Sequence, residues 1–234
     1  TAYEISLGLV GSEMCIRDRS TTEKAVDELA KTFRRLDNSE HVQVKSFSNI
    51  GRDVAPFVVG FREEIPKYDF ILKLHSKKSP HSGALSGWFE HCLDNLIGSK
   101  DVFYTNMSEL INNDTAIIYP VQNYALSLGI KHDSCWGHED GNYYKAKPLL
   151  DTLSLKHIDR DSEFLFPTGT MFWCKSDILQ PILDWNLGFH DFDNEGGQID
   201  GTLAHSIERL IGLCCTEKFH KRIITSYCGY ANSK

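Results

Sequence analysis

The chain has 234 residues, of which 41% are hydrophobic, 24% charged and 11% aromatic, the proportions of one globular domain large enough to bury a core. Seven prolines and 17 glycines exclude a collagenous or low-complexity chain, and no apolar run approaches the roughly 18 residues of a membrane span. A formal charge of −7 and a pI near 5.8 argue against nucleic acid as a partner held by bulk charge. Seven cysteines without a C-x-x-C pair read as free thiols of a reducing, cytoplasmic compartment.

Residues 1–18, TAYEISLGLVGSEMCIRD, stand apart. The stretch from Leu9 to Asp18 resembles a translated sequencing-library adapter. The run ISLGLV is too short for a signal-peptide core, and Glu4 sits where a basic residue belongs. The expectation is a non-native segment over 1–18 and one domain over 20–234, itself a fragment of a protein that extends further N-terminally.

From Ser20 the pattern alternates helix and strand. Ser20-Thr21-Thr22-Glu23 has capping-box spacing, and Ala25, Val26, Leu29, Ala30, Phe33 and Leu36 recur at helical period. Residues 41–47 alternate like a short strand. The loop 49–53 leads into a predicted helix over 54–64, with Pro56 tolerated in its first turn. The run YDFILKL over 68–74 predicts a buried strand. Helices follow at about 85–97 and 101–112, then a strand at 116–119. Residues 121–147 have weak periodicity and read as a long functional loop. A strand is expected over 168–174 and then a helix capped by Ser176. A loop over 188–201 precedes the last helix, which carries Leu203, Ile207, Leu210, Ile211 and Cys214 on one face. The class is α/β: a single open, mostly parallel sheet flanked by helices.

Ligands of open α/β folds sit beyond the carboxyl ends of the strands, and four polar clusters fall at such places. In Asn49-Ile50-Gly51-Arg52-Asp53, Gly51 permits a tight turn while Arg52 and Asp53 suit phosphate and hydroxyl groups. Lys73, His75, Lys77 and Lys78 gather four cations at the end of the 68–74 strand, a set that suits a diphosphate without a metal. Thr168 and Gly169 lie in a Pro-Thr-Gly-Thr turn that allows close backbone approach. In the acidic loop, Glu195 between Asn194 and two glycines is the expected general base, with His205 in reserve. Asp200 is expected to cap the last helix or to orient a substrate hydroxyl.

Phosphate-loop, dinucleotide, zincin and nucleophile-elbow motifs are missing from the sequence. Cys214, Cys215, His220 and Cys228 do not have zinc spacing. The D-x-D triplets Asp159-Arg160-Asp161 and Asp191-Phe192-Asp193 follow no predicted strand. No metal site is therefore assigned, and no cofactor is expected to be required.

NIGRDVAPF (49–57), YDFILKLHSKKS (68–79), FPTGTMFWCKSDIL (166–179) and EGGQIDGTLAHSIERL (195–210) together resemble the rhamnan synthesis protein F family of bacterial polysaccharide and lipopolysaccharide biosynthesis. The resemblance implies a fold similar to the nucleotide-diphospho-sugar (GT-A type) glycosyltransferases, truncated at its N-terminus. It implies a glycosyltransferase that moves a deoxyhexose, with rhamnose the first candidate, from a nucleotide-diphosphate donor to a glycan or lipid-linked glycan acceptor. The 49–53 loop would lie near the nucleotide. The 73–78 segment would stand where metal-dependent relatives carry a D-x-D, which puts a divalent metal in doubt. Localisation would be cytoplasmic, with peripheral association at the inner membrane face through the rest of the parent. The alternative is a non-catalytic glycan-binding or assembly domain.

Overall fold

The computed structural model describes residues 16–20, 42–75, 87–121, 135–137, 141–194, 196, 198 and 200–226. The chain divides into two compact units, 1–49 and 50–234. In the first, β1 (Ile16–Ser20) and β2 (Val42–Ser46) pair in parallel, in register from Ile16 opposite Val42 to Ser20 opposite Ser46. The alternating 41–47 segment thus forms its strand. β1 takes in Ile16, Arg17 and Asp18 from the adapter-like stretch. The helix expected from Ala25 to Leu36 lies outside the described residues.

The second unit is built on a four-stranded sheet in the order β3-β5-β4-β6: β3 (Phe70–Lys73), β4 (Thr115–Pro120), β5 (Phe172–Lys175) and β6 (Arg222–Ser226). β5 runs antiparallel to both its neighbours, and β4 and β6 are parallel. The expected mostly parallel sheet is therefore mixed. The reason is topological: β3, β4 and β6 all run one way, but β5 enters between β3 and β4 in reverse and separates them. Every residue of β4 is buried, as its continuous apolar run requires of an inner strand.

Helices α1 (Trp88–Ile97), α2 (Lys100–Asn112), α3 (Gly141–Thr152), α4 (Gln180–Asp184) and α5 (Leu203–Leu213) belong to the same unit. The hydroxyl of Ser99 caps α2 by accepting from Val102 N–H at 3.2 Å. Three expectations change. The helix over 54–64 is a π-turn at Pro56–Gly60 and a 3-10 turn at Ile65–Lys67, because Pro56 supplies no N–H and Val58, Val59 and Gly60 favour helix poorly. Ser176 begins a 3-10 turn and caps nothing. α3 occupies part of the stretch expected to be loop.

The core gathers Leu96, Leu110, Ile117, Ile118, Phe172, Leu179, Ile182, Ile207 and Leu210, all essentially inaccessible to solvent. Each such side chain contributes roughly 1.5–3 kcal/mol by leaving water. Trp173 closes the layer between sheet and α1 by donating its indole N–H to Leu96 O at 3.0 Å. The described cysteines are all free thiols, and Cys92, Cys174, Cys214 and Cys215 are buried. No helix among the described residues is long and apolar enough to cross a membrane.

Candidate functional site

The strand directions make one edge of the sheet special. β3, β4 and β6 all end there, and the chain enters β5 from the same edge, with Lys73 of β3 opposite Phe172 of β5. Just before β5 the backbone turns through Gly169 (φ +82°) and Thr170 (φ +54°), both left-handed. That conformation is uncommon for a β-branched residue and persists only where the surroundings enforce it. The enforcement is visible: His75 Nε2 donates to Gly169 O at 2.7 Å, Lys73 Nζ donates to Thr170 O at 3.0 Å, and Thr170 Oγ1 donates to Asp53 Oδ2. Lys73 also forms an ion pair with Asp53 Oδ2, the two side chains being 5% and 15% exposed. Burial alone would raise the Asp53 carboxyl. The Lys73 and His75 charges and the two hydrogen bonds outweigh it and hold the group well below the usual carboxylate range.

Arg52 comes from a second strained turn. Gly51 (φ +66°) accepts from Val54 N and Ala55 N, and a side chain there would stand 2.5 Å from Ala55 Cβ and from the Phe192 ring. Arg52 itself is left-handed (φ +59°) and donates through Nη1 to His205 Nε2 at 2.6 Å and through Nη2 to Gln198 O at 2.7 Å. Arginine cannot accept, so His205 Nε2 carries the lone pair and the neutral ring is protonated on Nδ1. Nδ1 lies 2.7 Å from Thr202 Oγ1 and 3.3 Å from the Thr202 backbone N. Burial first, then the Arg52 charge, lowers the His205 pKa to about 4.

Thr202, not Asp200, caps α5, with its hydroxyl reaching His205 N. Two residues before the cap, Asp200 is free to act elsewhere. Its Oδ1 accepts from Asn142 Nδ2 at 2.6 Å and lies 3.5 Å from Arg209 Nη2. Burial raises its carboxyl, but the Asn142 bond and the Arg209 charge prevail and lower it. Asp200 Oδ2 and Asn142 Oδ1 are buried without a partner among the described residues. Arg209 also donates to Cys135 O at 2.8 Å and stacks 5.1 Å from the centre of the Phe166 ring. Three of the four D-x-D acids are used internally. Asp191 accepts from Gly188 N at 2.7 Å, and Asp193 binds Leu203 N and Lys145. Asp159 closes a turn with Ser162. Among the described residues no group of three His, Cys, Asp or Glu side chains is arranged to hold a metal ion.

The family model of rhamnan synthesis protein F matches residues 16–219. The chain belongs to that family. It is 32% identical over 203 residues to the uncharacterized protein WxcX of Xanthomonas campestris pv. campestris strain ATCC 33913, and 33% identical over 203 residues to WxcX of strain B100. Each match takes in 84% of this chain and 27% of the relative, so the chain spans about a quarter of the length of these relatives. No solved structure matches it significantly.

Within this rhamnan synthesis F domain the expected residues fall into three groups. Gly51, Arg52, Asp53, Lys73, His75, Gly169, Asp200 and His205 belong to one hydrogen-bonded region at the carboxyl edge of β3, with half-buried Thr168 on the turn before Gly169. Asn49 is exposed and belongs to the first unit. Lys77, Lys78 and Glu195 lie outside the described residues. Sequence reasoning missed Thr170, Asn142, Glu208 and Arg209. A Glu-Arg pair inside a run that is otherwise apolar on its inner side was the available signal for the last two, since charges are seldom buried without a partner.

Proposed function

We propose that this domain transfers a deoxyhexose, rhamnose being the first candidate, from a nucleotide-diphosphate donor to a glycan acceptor in polysaccharide synthesis. Membership of the rhamnan synthesis F family supports the pathway class. The observation that carries the site is the two strained turns at the strand ends, Gly51–Arg52 and Gly169–Thr170, held to each other by buried charged side chains. Strain of this kind is kept where a precise geometry is needed.

Arg52 is the diphosphate cation in this scheme. Its bonds to His205 Nε2 and Gln198 O fix where the guanidinium stands. Lys73 is spent on Asp53, so it fixes that carboxylate instead of meeting phosphate directly. Both contacts of Asp53 fall on Oδ2, which leaves Oδ1 to accept a hydroxyl of the donor. Lys77 and Lys78 supply further positive charge to the leaving diphosphate. Asp200 orients a sugar hydroxyl. With the His205 lone pair engaged by Arg52, Glu195 is the base that takes the acceptor proton. No metal is required.

The test is calorimetry and a transfer assay with a panel of nucleoside-diphosphate sugars, in the full-length parent and in its Arg52→Ala and Lys77→Ala/Lys78→Ala variants. Binding by the parent that weakens about ten-fold or more in both variants is the expected result. A parent that binds free glycan but no nucleotide-sugar would overturn the reading in favour of a glycan-binding module.

A further inference from the structure

The Thr170 N–H of the Gly169–Thr170 turn bonds Pro167 O, and four ionisable side chains from three parts of the chain each take one of the other polar groups. Three of them are Asp53, Lys73 and His75. The fourth is Glu208, in the middle of α5, whose Oε1 accepts the Gly169 N–H at 2.6 Å. Every residue of α5 is buried, and Glu208 is only 9% exposed. A carboxylate in such a place is costly to keep unless its contacts are needed. Arg209 Nη1 lies 3.4 Å from Oε2, a long contact that offsets only part of that cost.

The geometry of the turn explains what the carboxylate does. Thr170, left-handed and β-branched, favours relaxing toward extended backbone. A relaxed Thr170 would swing its Oγ1 off Asp53 and its carbonyl off Lys73. The Gly169 carbonyl that His75 holds would turn with it. Hydrogen bonds from His75 and Lys73 reach the turn from the β3 side, while Glu208 holds it from the helix side. With Glu208 the turn is fastened from both sides.

We infer that Glu208 is a positioning residue that fixes the Gly169–Thr170 turn in its left-handed form and thereby sets where Asp53, Lys73 and His75 stand. It touches no substrate and takes no proton. Arg209, the next residue, extends the same arrangement to Asp200 and to Cys135 O, so one buried helix holds both the turn before β5 and the carboxylate before its own cap. The functional arm of this inference rests on the donor-site reading above, whereas its structural arm does not.

Amide hydrogen exchange measured by NMR on the full chain tests it. The Gly169 amide should exchange a hundred-fold or more slower than an exposed turn amide in the wild type. Glu208→Gln, which keeps an acceptor oxygen, should retain that protection. Glu208→Ala should lose it at Gly169 and Thr170 while the β4 amides stay protected. In the donor assay, Glu208→Ala should weaken nucleotide-sugar binding about ten-fold and Glu208→Gln less than three-fold. Free exchange of Gly169 in the wild type, unchanged protection in a folded Glu208→Ala variant, or lost protection in Glu208→Gln would each overturn the proposal. If the alanine variant does not fold, the wild type and the glutamine variant decide it. A wild type that protects Gly169 but binds no nucleotide-sugar upholds the positioning role and sinks the donor-site reading alone.

Discussion

Arg52 Nη1 and His205 Nε2 meet at 2.6 Å across 153 positions of sequence, and the contact makes the histidine a holder of the arginine. A neutral imidazole is what the geometry needs, and burial together with the Arg52 charge keeps it neutral down to about pH 4. A histidine in an unfolded chain titrates near 6.5. Between these values the unfolded state binds the extra proton, so His205 contributes stability that is complete above about pH 6.5 and is lost as pH falls toward 4. The full effect is roughly 3 kcal/mol. Glu208 works in the opposite sense, because burial raises its carboxyl. The difference between wild type and His205→Gln isolates the histidine. Urea midpoints at intervals from pH 4 to 7.5 should show a steeper rise with pH for the wild type.

The buried Lys73–Asp53 pair gives a second expectation. Removing one partner strands the other charge, so Asp53→Asn and Lys73→Met should each cost about 3–5 kcal/mol. The double variant, which strands nothing, should cost much less than the two together. Chemical denaturation of the four proteins gives the coupling directly, and additive losses would show that the pair is not a unit.

Gly51 has neither the backbone nor the space for a side chain. Gly51→Ala should lose about 1–2 kcal/mol from the left-handed backbone and a further ~1–3 kcal/mol from overpacking against Ala55 and Phe192. Thermal and urea unfolding check the stability. The Arg52–His205 contact should loosen as well, which the pH dependence of the His205 ring signals would report.

Thiol chemistry offers a test that is independent of function. Burial pushes the Cys92, Cys214 and Cys215 thiols up to about 12 and Cys174 well above its ordinary value. These four should resist alkylation in the native protein and react on unfolding, while half-buried Cys135 reacts earlier. Mass spectrometry after timed iodoacetamide treatment would show the order.

Chelation is the fifth measurement. With Lys73 at the end of β3 and Asp191 and Asp193 bound to backbone N–H groups, transfer activity should survive EDTA. Abolition by EDTA with rescue by manganese would refute metal independence.

Some of this architecture was legible in the residues and some was not. β4 and α5 were visible because their apolar patterns are strong and local. α3 was hidden by Pro148 and by Gly141 and Asn142 at its start, although its buried positions 142, 146, 149 and 150 do follow helical spacing. β6 was passed over because Arg222-Ile223-Ile224-Thr225-Ser226 is short and half polar. The strand-end clusters could be named from sequence, but not their pairings. That Lys73 belongs to Asp53, or Arg52 to His205, depends on turns whose left-handed backbone at Arg52 and Thr170 no propensity encodes. Asp200 looked like a cap because it precedes a helix, yet Thr202 stands nearer and uses the same N–H groups.

The reversed central strand also dictates when this sheet can exist. β3 and β4 never pair with each other, and the neighbour they share is β5, which leaves the ribosome after both. Until residues 172–175 have been made, the β3 and β4 edges that β5 covers lack their partner, and the Gly169–Thr170 turn that fastens Asp53 and Lys73 arrives with that same stretch. Synthesis thus proceeds through a long interval in which apolar strands wait with open edges, the condition under which nascent chains turn to chaperones. The same insertion event that joins β3 to β4 brings Asp53, Lys73 and the turn together.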